Sequence, residues 1–177
     1  MNPLDLRVYV ITANVLRLGR THEDVAAAAL AGGARIIQFR DKEMGDEEFT
    51  AVARRIQKLT QKHNALLLIN DRVEIALAIG ADGVHVGQHD LAFAEVKRLA
   101  RPGMILGLSA TNYAEAVALA NSGANYLGVG PIFPTPSKAD ATPPIGLDEL
   151  ARICRDVPIP IVAIGGITES KLPEIIN

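Results

Sequence analysis

The sequence predicts an α/β fold, a TIM (β/α)8 barrel whose eighth strand and helix are absent from the 177 residues. Short apolar runs recur along the chain, each short enough for a strand and apolar enough to be buried on both faces. Amphipathic segments separate most of them, an alternation typical of parallel strands joined by crossover helices. The runs are Val8–Ile11, Ile36–Phe39, Leu66–Ile69, Gly83–Val86, Met104–Leu108, Tyr126–Val129 and Ile159–Ile164.

Two of the intervening segments carry clear helix signals. Between Asp46 and His63 the apolar residues recur at helical spacing, and they are Phe49, Val52, Ile56 and Leu59. Thr21 and Asp24 stand three positions apart, a spacing that predicts a capping box at the start of an earlier helix.

A short internal repeat favours the barrel over a doubly wound sheet. Gly33, Gly80 and Gly123 are each followed by alanine, and each lies between a helical segment and a strand. Glycine suits the left-handed position that ends a helix, and three copies indicate one repeating β-α unit. No GxGxxG motif follows the first strand, which disfavours a dinucleotide-binding fold.

The chain is predicted to be a single barrel domain, residues 1–177, that is incomplete at its C-terminal end. Seven strands are counted where the barrel needs eight, and Asn177 falls in the helix expected after the seventh strand. An open barrel would leave the edges of the first and seventh strands unpaired. Either a C-terminal segment is missing from the sequence, or another element closes the barrel.

Composition narrows the class of protein. Hydrophobic residues make up 49% of the chain and charged residues 21%, as in a globular domain. The net charge of −2 gives no electrostatic case for a nucleic-acid partner, and no apolar run approaches the length of a membrane span. Cys154 is the only cysteine, which excludes a disulfide framework and favours a cytoplasmic location. The sequence leaves open whether the oligomeric state is that of a monomer or of a homo-oligomer.

The segment Gly128–Gly146 is the most distinctive stretch of the chain. It holds five prolines, so it suits neither a helix nor the interior of a sheet. Its hydroxyl groups, its backbone N–H groups and the cation of Lys138 are the groups that hold phosphate. We expect a long ordered loop with a phosphate-binding function.

Polar residues end the second predicted strand, and function in a barrel lies at the carboxyl ends of its strands. Side chains alternate along a strand, so Gln38 and Arg40 share a face. If Ile37 and Phe39 face the helices, the polar pair points into the barrel mouth. A solvated strand end with an Arg–Asp ion pair is the alternative.

Two aspartates, Asp71 and Asp90, end adjacent predicted strands. Two carboxylates on one rim, beside Arg40 and Lys42, suit Mg²⁺ held between carboxylate and phosphate oxygens. An aspartate at such a junction more commonly caps the following helix, and this is the alternative interpretation of Asp71.

Three further features complete the predicted rim. Ser109 ends the fifth strand, either as a ligand or as the N-cap of the next helix. Gly165–Gly166 follow the seventh strand, where backbone N–H groups of barrel proteins hold phosphate, and a tight turn is the alternative. His85 is expected to pack inside the barrel, whereas His22 and His63 are expected on exposed helix surfaces.

Six motifs occur in order across nearly the whole chain. They are QFRDK (Gln38–Lys42), LINDR (Leu68–Arg72), ADGVHVGQHD (Ala81–Asp90), GLSA (Gly107–Ala110), GVGPIFPTPSKADA (Gly128–Ala141) and VAIGGI (Val162–Ile167). This set resembles the thiamine-phosphate synthase family. The resemblance implies a (β/α)8 barrel transferase that couples hydroxymethylpyrimidine diphosphate with thiazole phosphate and releases pyrophosphate, with Mg²⁺ as cofactor.

The resemblance also implies a role for each matching position. Asp71 and Asp90 would bind Mg²⁺. The pyrimidine diphosphate would be held by Gln38, Arg40, Lys42, Asn70, Ser109 and Lys138, and Phe39 and Asp41 belong to the same substrate-binding motif. The thiazole phosphate would be held by Thr135, Pro136, Ser137 and Gly166. Catalytic stabilisation of the leaving pyrophosphate would come from Arg40, Lys42, Ser109 and Lys138.

Two other functions stay open on the sequence. A thiazole tautomerase of the same fold typically carries an acid/base histidine two positions after the strand-five serine, and Thr111 stands there in this chain. With Lys138, Asp71 and Asp90 all present, the synthase interpretation is the stronger one. A non-catalytic phosphate-binding paralogue is the third hypothesis. The resemblance implies that an eighth strand makes further contacts to the thiazole phosphate, and the 177 residues are expected to lack that strand.

Overall fold

Strands and helices alternate through the computed structural model, which describes residues 4–13, 19–88, 90–135 and 143–176. The chain falls into two compact units, Met1–Leu106 and Gly107–Asn177. Seven strands occur in the described residues, as predicted, and each lies within one or two residues of its expected bounds. None of the helices in these ranges is long and apolar enough to cross a membrane. That residues 1–177 form a single barrel domain stays a prediction.

The first unit is built from four β-α repeats. Its elements are β1 (Tyr9–Ile11), α1 (His22–Ala31), β2 (Ile36–Phe39), α2 (Asp46–Lys62), β3 (Leu66–Asn70), α3 (Val73–Ile79), β4 (Gly83–Val86) and α4 (Phe93–Leu99). These strands pair in parallel and in chain order. Ile36 of β2 stands opposite Tyr9 on one side and Leu66 on the other, so the carboxyl ends of the strands share one edge.

Helix α2 shows how the core of this unit is made. Phe49, Val52 and Ile56 are buried as the helical spacing predicts, and Leu59 is half-buried while the adjacent Thr60 is buried. The Phe49 ring stacks on Phe39 of β2 with ring centroids 4.1 Å apart. Apolar packing of this kind, rather than helix propensity, holds a helix against a sheet.

The helix ends follow the predicted chemistry. At the start of α1 the Thr21 hydroxyl accepts from the Asp24 N–H at 3.2 Å, and the Asp24 carboxylate accepts from the Thr21 N–H at 2.9 Å, which completes the capping box. The repeated glycines all adopt positive φ, 91° at Gly33, 70° at Gly80 and 89° at Gly123. A side chain would strain the backbone at these helix-to-strand turns.

The second unit continues the alternation. Its elements are β5 (Ile105–Ala110), which begins at the unit boundary, α5 (Tyr113–Leu119), β6 (Tyr126–Val129), α6 (Gly146–Asp156), β7 (Ile161–Ala163), a 3₁₀ turn over Glu169–Lys171 and α7 (Leu172–Ile176). β6 pairs in parallel with β5 and with β7. Residues 136–142 of the predicted loop lie outside the described residues. On either side of them, residues 130–135 and 143–145 form neither helix nor strand, and the Ile145 N–H donates to the Pro131 carbonyl at 2.9 Å.

Phe49→Ala tests the stacked core of the first unit. The Phe49 side chain is fully buried, so its loss removes apolar burial and leaves a cavity. We expect the free energy of unfolding to fall by about 3–5 kcal/mol, measured by denaturant unfolding. Leu91→Ala is the control, since Leu91 is 41% exposed and its truncation should have a much smaller effect. Equal losses for the two variants would contradict this account of the core.

Candidate active site

The backbone at the end of β3 sets the position of the first predicted metal ligand. Asp71 directly follows β3 in the left-handed region, with φ of 61°. Its N–H donates to the His85 carbonyl of β4 at 2.9 Å, and its own carbonyl accepts from the Val73 N–H at 2.9 Å. Aspartate tolerates this conformation better than most residues with a Cβ. The kink turns the chain out of the strand and into α3.

The second predicted ligand, Asp90, lies in the turn after β4. Its Oδ2 accepts from the Gly87 N–H at 2.6 Å. A Cβ on residue 87 would stand only 2.9 Å from that same oxygen, so a larger residue there would push the carboxylate away from the turn.

The two carboxyl groups contact each other. Burial is the main cause that raises the pKa of Asp71 to about 6, and the hydrogen bond and negative charge of Asp90 raise it further. Arg40 and Lys42 act in the opposite direction through their positive charges. Two adjacent carboxyl groups and two nearby cations therefore lie at the carboxyl ends of β2, β3 and β4.

Neither aspartate is used as a side-chain helix cap. The residue that caps α3 is Arg72 and the residue that caps α4 is Ala92, and both helices start without a side-chain capping bond. The structure therefore does not support the N-cap alternative for Asp71. The carboxyl groups are instead turned toward each other.

The donor set of this pair fits Mg²⁺. Carboxylate oxygens are the ligands that Mg²⁺ prefers, and the ion commonly takes one or two of them and completes its shell with water and phosphate oxygens. Across the described ranges no cluster of three or more His, Cys, Asp or Glu forms a metal site. Asp71 and Asp90 would therefore hold the ion together with a phosphorylated ligand, which remains a prediction.

Arg40 and Lys42 follow β2 and are the cations of this rim. Arg40 is half-buried and Lys42 is exposed. Neither belongs to an ion pair within 4.0 Å among the described residues, although both lie close enough to Asp71 to lower its pKa. Among the described residues, Arg40 therefore does not form the Arg–Asp ion pair that was the alternative for this strand end. Both cations remain available to an anionic ligand.

The other predicted ligands of the first unit differ in how they are held. Gln38 is 2% exposed and its amide donates to the Tyr9 hydroxyl at 2.8 Å. Asn70 ends β3, half-buried, opposite His85 of β4. The Phe39 side chain is fully buried against Phe49, so only its backbone can reach a ligand. These positions remain predictions as substrate contacts.

In the second unit, Ser109 lies within β5 opposite Gly128 of β6. Asn112, not Ser109, caps α5, and its side chain accepts from the Glu115 N–H at 2.9 Å. Thr135, in the predicted loop, is half-buried. The predicted ligands Pro136, Ser137 and Lys138 lie outside the described residues.

Two glycines with positive φ form the turn after β7. Gly165 and Gly166 have φ of 97° and 65°, and a Cβ on Gly166 would stand 2.5 Å from the Pro134 carbonyl oxygen. The loop after β6 is bound to this turn, since the Phe133 N–H donates to the Gly165 carbonyl at 3.0 Å. In the described part of the chain the N–H groups of Gly165–Ile167 donate to no protein acceptor. Such unpaired N–H groups suit a phosphate.

Two residues to which the sequence analysis gave no functional role lie beside these sites. Lys171 donates to the Gly166 carbonyl at 3.2 Å and its ammonium stands 4.3 Å from the Phe133 ring centroid. His22 was expected on an exposed helix surface, and that prediction is wrong because the residue is 2% exposed. Its spacing from Ala26 and Leu30, both buried on the same face of α1, was the available signal. His85 is 8% exposed, in line with the predicted packing role.

The comparisons with known proteins agree with this architecture. A sequence model described as thiamine monophosphate synthase matches residues 8–177. The thiamine-phosphate synthase of Chloroflexus aurantiacus is 46% identical over 174 residues, which cover 98% of this chain and 80% of that relative. The thiamine-phosphate synthase of Methanospirillum hungatei is 43% identical over 173 residues, covering 98% and 84%.

A solved structure extends the likeness to three dimensions. Thiamine phosphate pyrophosphorylase from Pyrococcus furiosus matches with a TM-score of 0.86 and 37% identity, covering 97% of this chain and 80% of that one. The predicted fold class is confirmed, and the chain is a protein of the (β/α)-barrel class. It belongs to the thiamine monophosphate synthase family, and these relatives identify it as a transferase of thiamine biosynthesis.

Asp71→Asn should change stability in a pH-dependent way in metal-free buffer. Because the pKa of Asp71 is raised by folding, ionising this carboxyl opposes folding once the pH exceeds its unfolded pKa. The variant should therefore be more stable than the parent at pH 7, by about 1 kcal/mol after allowance for solvent screening. Near pH 4 the two should be equal in thermal unfolding. A gain of the same size at both pH values would contradict the charge argument.

Proposed function

We propose that this chain is a thiamine-phosphate synthase, which couples hydroxymethylpyrimidine diphosphate with thiazole phosphate to give thiamine phosphate and pyrophosphate. The observation that carries the proposal is the contact between the Asp71 and Asp90 carboxyl groups with Arg40 and Lys42 beside them. Two adjacent carboxyl groups, one of them half-buried, favour a cation, and two cations without ion-pair partners among the described residues favour an anion. A metal–diphosphate complex supplies both charges in one ligand.

The reaction needs stabilisation of charge more than an acid or a base. The bond between the pyrimidine methylene carbon and the diphosphate oxygen breaks, and its electron pair leaves with the diphosphate. The aminopyrimidine ring stabilises the resulting cation, and the lone pair of the thiazole nitrogen then forms the new C–N bond. In this mechanism the enzyme binds and neutralises the leaving group rather than attacking the carbon.

Each proposed role follows from the group that the residue can present to a ligand, which for Phe39 and Gly166 is the backbone. Arg40 and Lys42, with Lys138 and Ser109, bind the diphosphate and stabilise its charge as the bond breaks. Mg²⁺, held by Asp71 and Asp90, supplies further neutralisation of the diphosphate when bound. Substrate contacts come in addition from Gln38, Phe39, Asp41 and Asn70, and the thiazole phosphate is held by Thr135, Pro136, Ser137 and Gly166.

The residue at position 111 argues against the tautomerase alternative. Thr111 donates from both its N–H and its hydroxyl to the Glu115 carboxylate, at 2.6 and 2.9 Å. A threonine held in this way at the start of α5 is neither an acid nor a base. We also propose a cytoplasmic location for the protein, and the free Cys154 is compatible with it.

The function is tested by mixing the purified chain with both substrates and Mg²⁺. We expect release of pyrophosphate only when both substrates are present, and thiamine phosphate identified by mass spectrometry. Isothermal calorimetry with each substrate alone separates a catalyst from a binding protein. Binding without any coupling would favour the non-catalytic paralogue, and tautomerisation without coupling would favour the tautomerase.

The metal ligands are tested by Asp90→Asn. The amide can still accept from the Gly87 N–H, but it no longer provides a charged ligand. We expect the Mg²⁺ dependence of pyrophosphate binding to disappear and activity to fall about 100-fold or more. Asp148→Asn, at an exposed site on α6, is the control and should leave both unchanged. Activity that survives Asp71→Ala and Asp90→Ala would overturn the assignment.

Lys138→Ala tests the cation of the long loop. Loss of a preorganised positive charge at the leaving group should abolish measurable coupling, because one such donor is worth about 100- to 1000-fold in kcat. The melting temperature should stay nearly unchanged, since a loop lysine contributes little to folding. Lys58→Ala, an exposed position on α2, provides the matched control. A variant that couples at the parental rate would remove Lys138 from the mechanism.

A further inference from the structure

A buried polar chain links α1 to the cation-bearing loop after β2. The His22 ring is 2% exposed and lies edge-on to Phe39, with ring centroids 4.9 Å apart. Its Nδ1 is 2.9 Å from the Thr12 hydroxyl, and its Nε2 is 2.9 Å from Oδ2 of Asp41. Thr12 is equally buried. Both ring nitrogens are therefore paired inside the protein, one with the end of β1 and one with the loop.

The ionisation of the Asp41 carboxyl group determines which atom is the donor in each of these hydrogen bonds. Its partial burial alone would raise the pKa of the carboxyl, but the hydrogen bonds from His22 and from the N–H groups of Met44 and Glu43 outweigh burial and lower it. An ionised carboxylate only accepts, so Nε2 of His22 carries the hydrogen that joins them. In the neutral ring Nδ1 then accepts from the Thr12 hydroxyl.

The second oxygen of the Asp41 carboxylate, Oδ1, stabilises the loop after β2. Oδ1 of Asp41 accepts from the N–H groups of Glu43 and Met44 at 2.9 and 2.8 Å, which closes a turn immediately after Lys42. From the opposite side, Arg72 donates to the Met44 carbonyl at 2.5 Å and to the Asp41 carbonyl at 3.4 Å. Asp41 is thus bound through both carboxylate oxygens and through its backbone.

Asp41 stands between the two proposed diphosphate ligands, Arg40 and Lys42. The peptide units on either side of Asp41 determine where those two long side chains start. Long cationic side chains have many rotamers, and their backbone origin must be held for them to reach one ligand together. A displacement of about 1 Å at a site of this kind can cost about 100-fold in rate.

We propose that His22 is a positioning residue, which acts through Asp41 to hold Arg40 and Lys42 in place for a diphosphate ligand. The identity of that ligand rests on the proposed function. His22 itself is buried and does not contact the ligand, so its effect is expected on affinity for the diphosphate. The KM for the pyrimidine diphosphate should rise more than kcat falls.

Two substitutions separate this role from simple packing. The amide of Gln in His22→Gln reaches the place of Nε2 and can still donate to Asp41, while the bond to Thr12 is lost. The shorter amide of Asn in His22→Asn reaches the place of Nδ1 and can pair with Thr12, while the bond to Asp41 is lost. Both variants lose the ring and its contact with Phe39, and they differ in size by one methylene, so amide exchange at the loop is measured beside affinity.

The readout is the binding of inorganic pyrophosphate with Mg²⁺, measured by calorimetry, together with amide hydrogen exchange at Glu43 and Met44. We expect His22→Asn to bind about 10-fold more weakly than the parent and to exchange faster at both amides. His22→Gln should stay within about 3-fold of the parent in affinity. Equal affinities for the two variants, or unchanged exchange in His22→Asn, would overturn the proposal.

Two further measurements keep the test decisive if His22→Asn does not fold. Nitrogen chemical shifts of the His22 ring in the parent protein should show hydrogen on Nε2, and a ring with hydrogen on Nδ1 alone would overturn the proposal. So would a loss of pyrophosphate affinity above 10-fold in a folded His22→Gln. A parent that binds pyrophosphate without coupling substrates would overturn the proposed function and leave the comparison of the variants valid.

Discussion

The contact between the partly buried Asp71 carboxyl group and the carboxyl group of Asp90 is the interaction on which the rim of the first unit depends. Asp71 and Asp90 are held together by backbone contacts, one from Asp71 to the His85 carbonyl of β4 and one from Gly87 to the Asp90 carboxylate. Burial is the main cause that raises the pKa of Asp71 to about 6, and the hydrogen bond and the negative charge of Asp90 raise it further. The fold holds the pair despite its electrostatic cost, as is common where charge is needed for ligand binding.

The cations that follow the neighbouring strand, β2, are positioned by a different set of contacts. The loop after β2 carries Arg40 and Lys42, and the polar groups of Asp41 bind it from two directions, through His22 on α1 and Arg72 after β3. Arg72 also lies over the Phe49 ring at 4.3 Å, so the aromatic core and the loop share a support. Core packing and site geometry are therefore coupled through a few side chains next to the site.

The second unit presents backbone rather than side-chain chemistry. The loops after β6 and β7 pair through the Ile132 and Phe133 N–H groups, which leaves the N–H groups around Gly165 and Gly166 pointing to no protein acceptor in the described chain. Glycine is required at both positions, because their φ values are positive and added side chains would meet the loop after β6. Such a surface suits an anion without any charged residue.

The sequence by itself determined the order of strands and helices, the capping box at Thr21, the glycine turns and the strand ends that carry polar groups. These features depend on local periodicity and turn chemistry, which neighbouring residues specify. Tertiary structure alone decided that Asp71 contacts Asp90 and does not cap α3, that the Phe39 ring is withdrawn into the core, and that His22 is buried against Asp41. His22 and Asp41 are 19 positions apart, and helical spacing shows which side of α1 a residue occupies but not which distant carboxylate it meets. Those pairings form only when strands and helices pack, because burial and charge depend on neighbours that are remote in the chain.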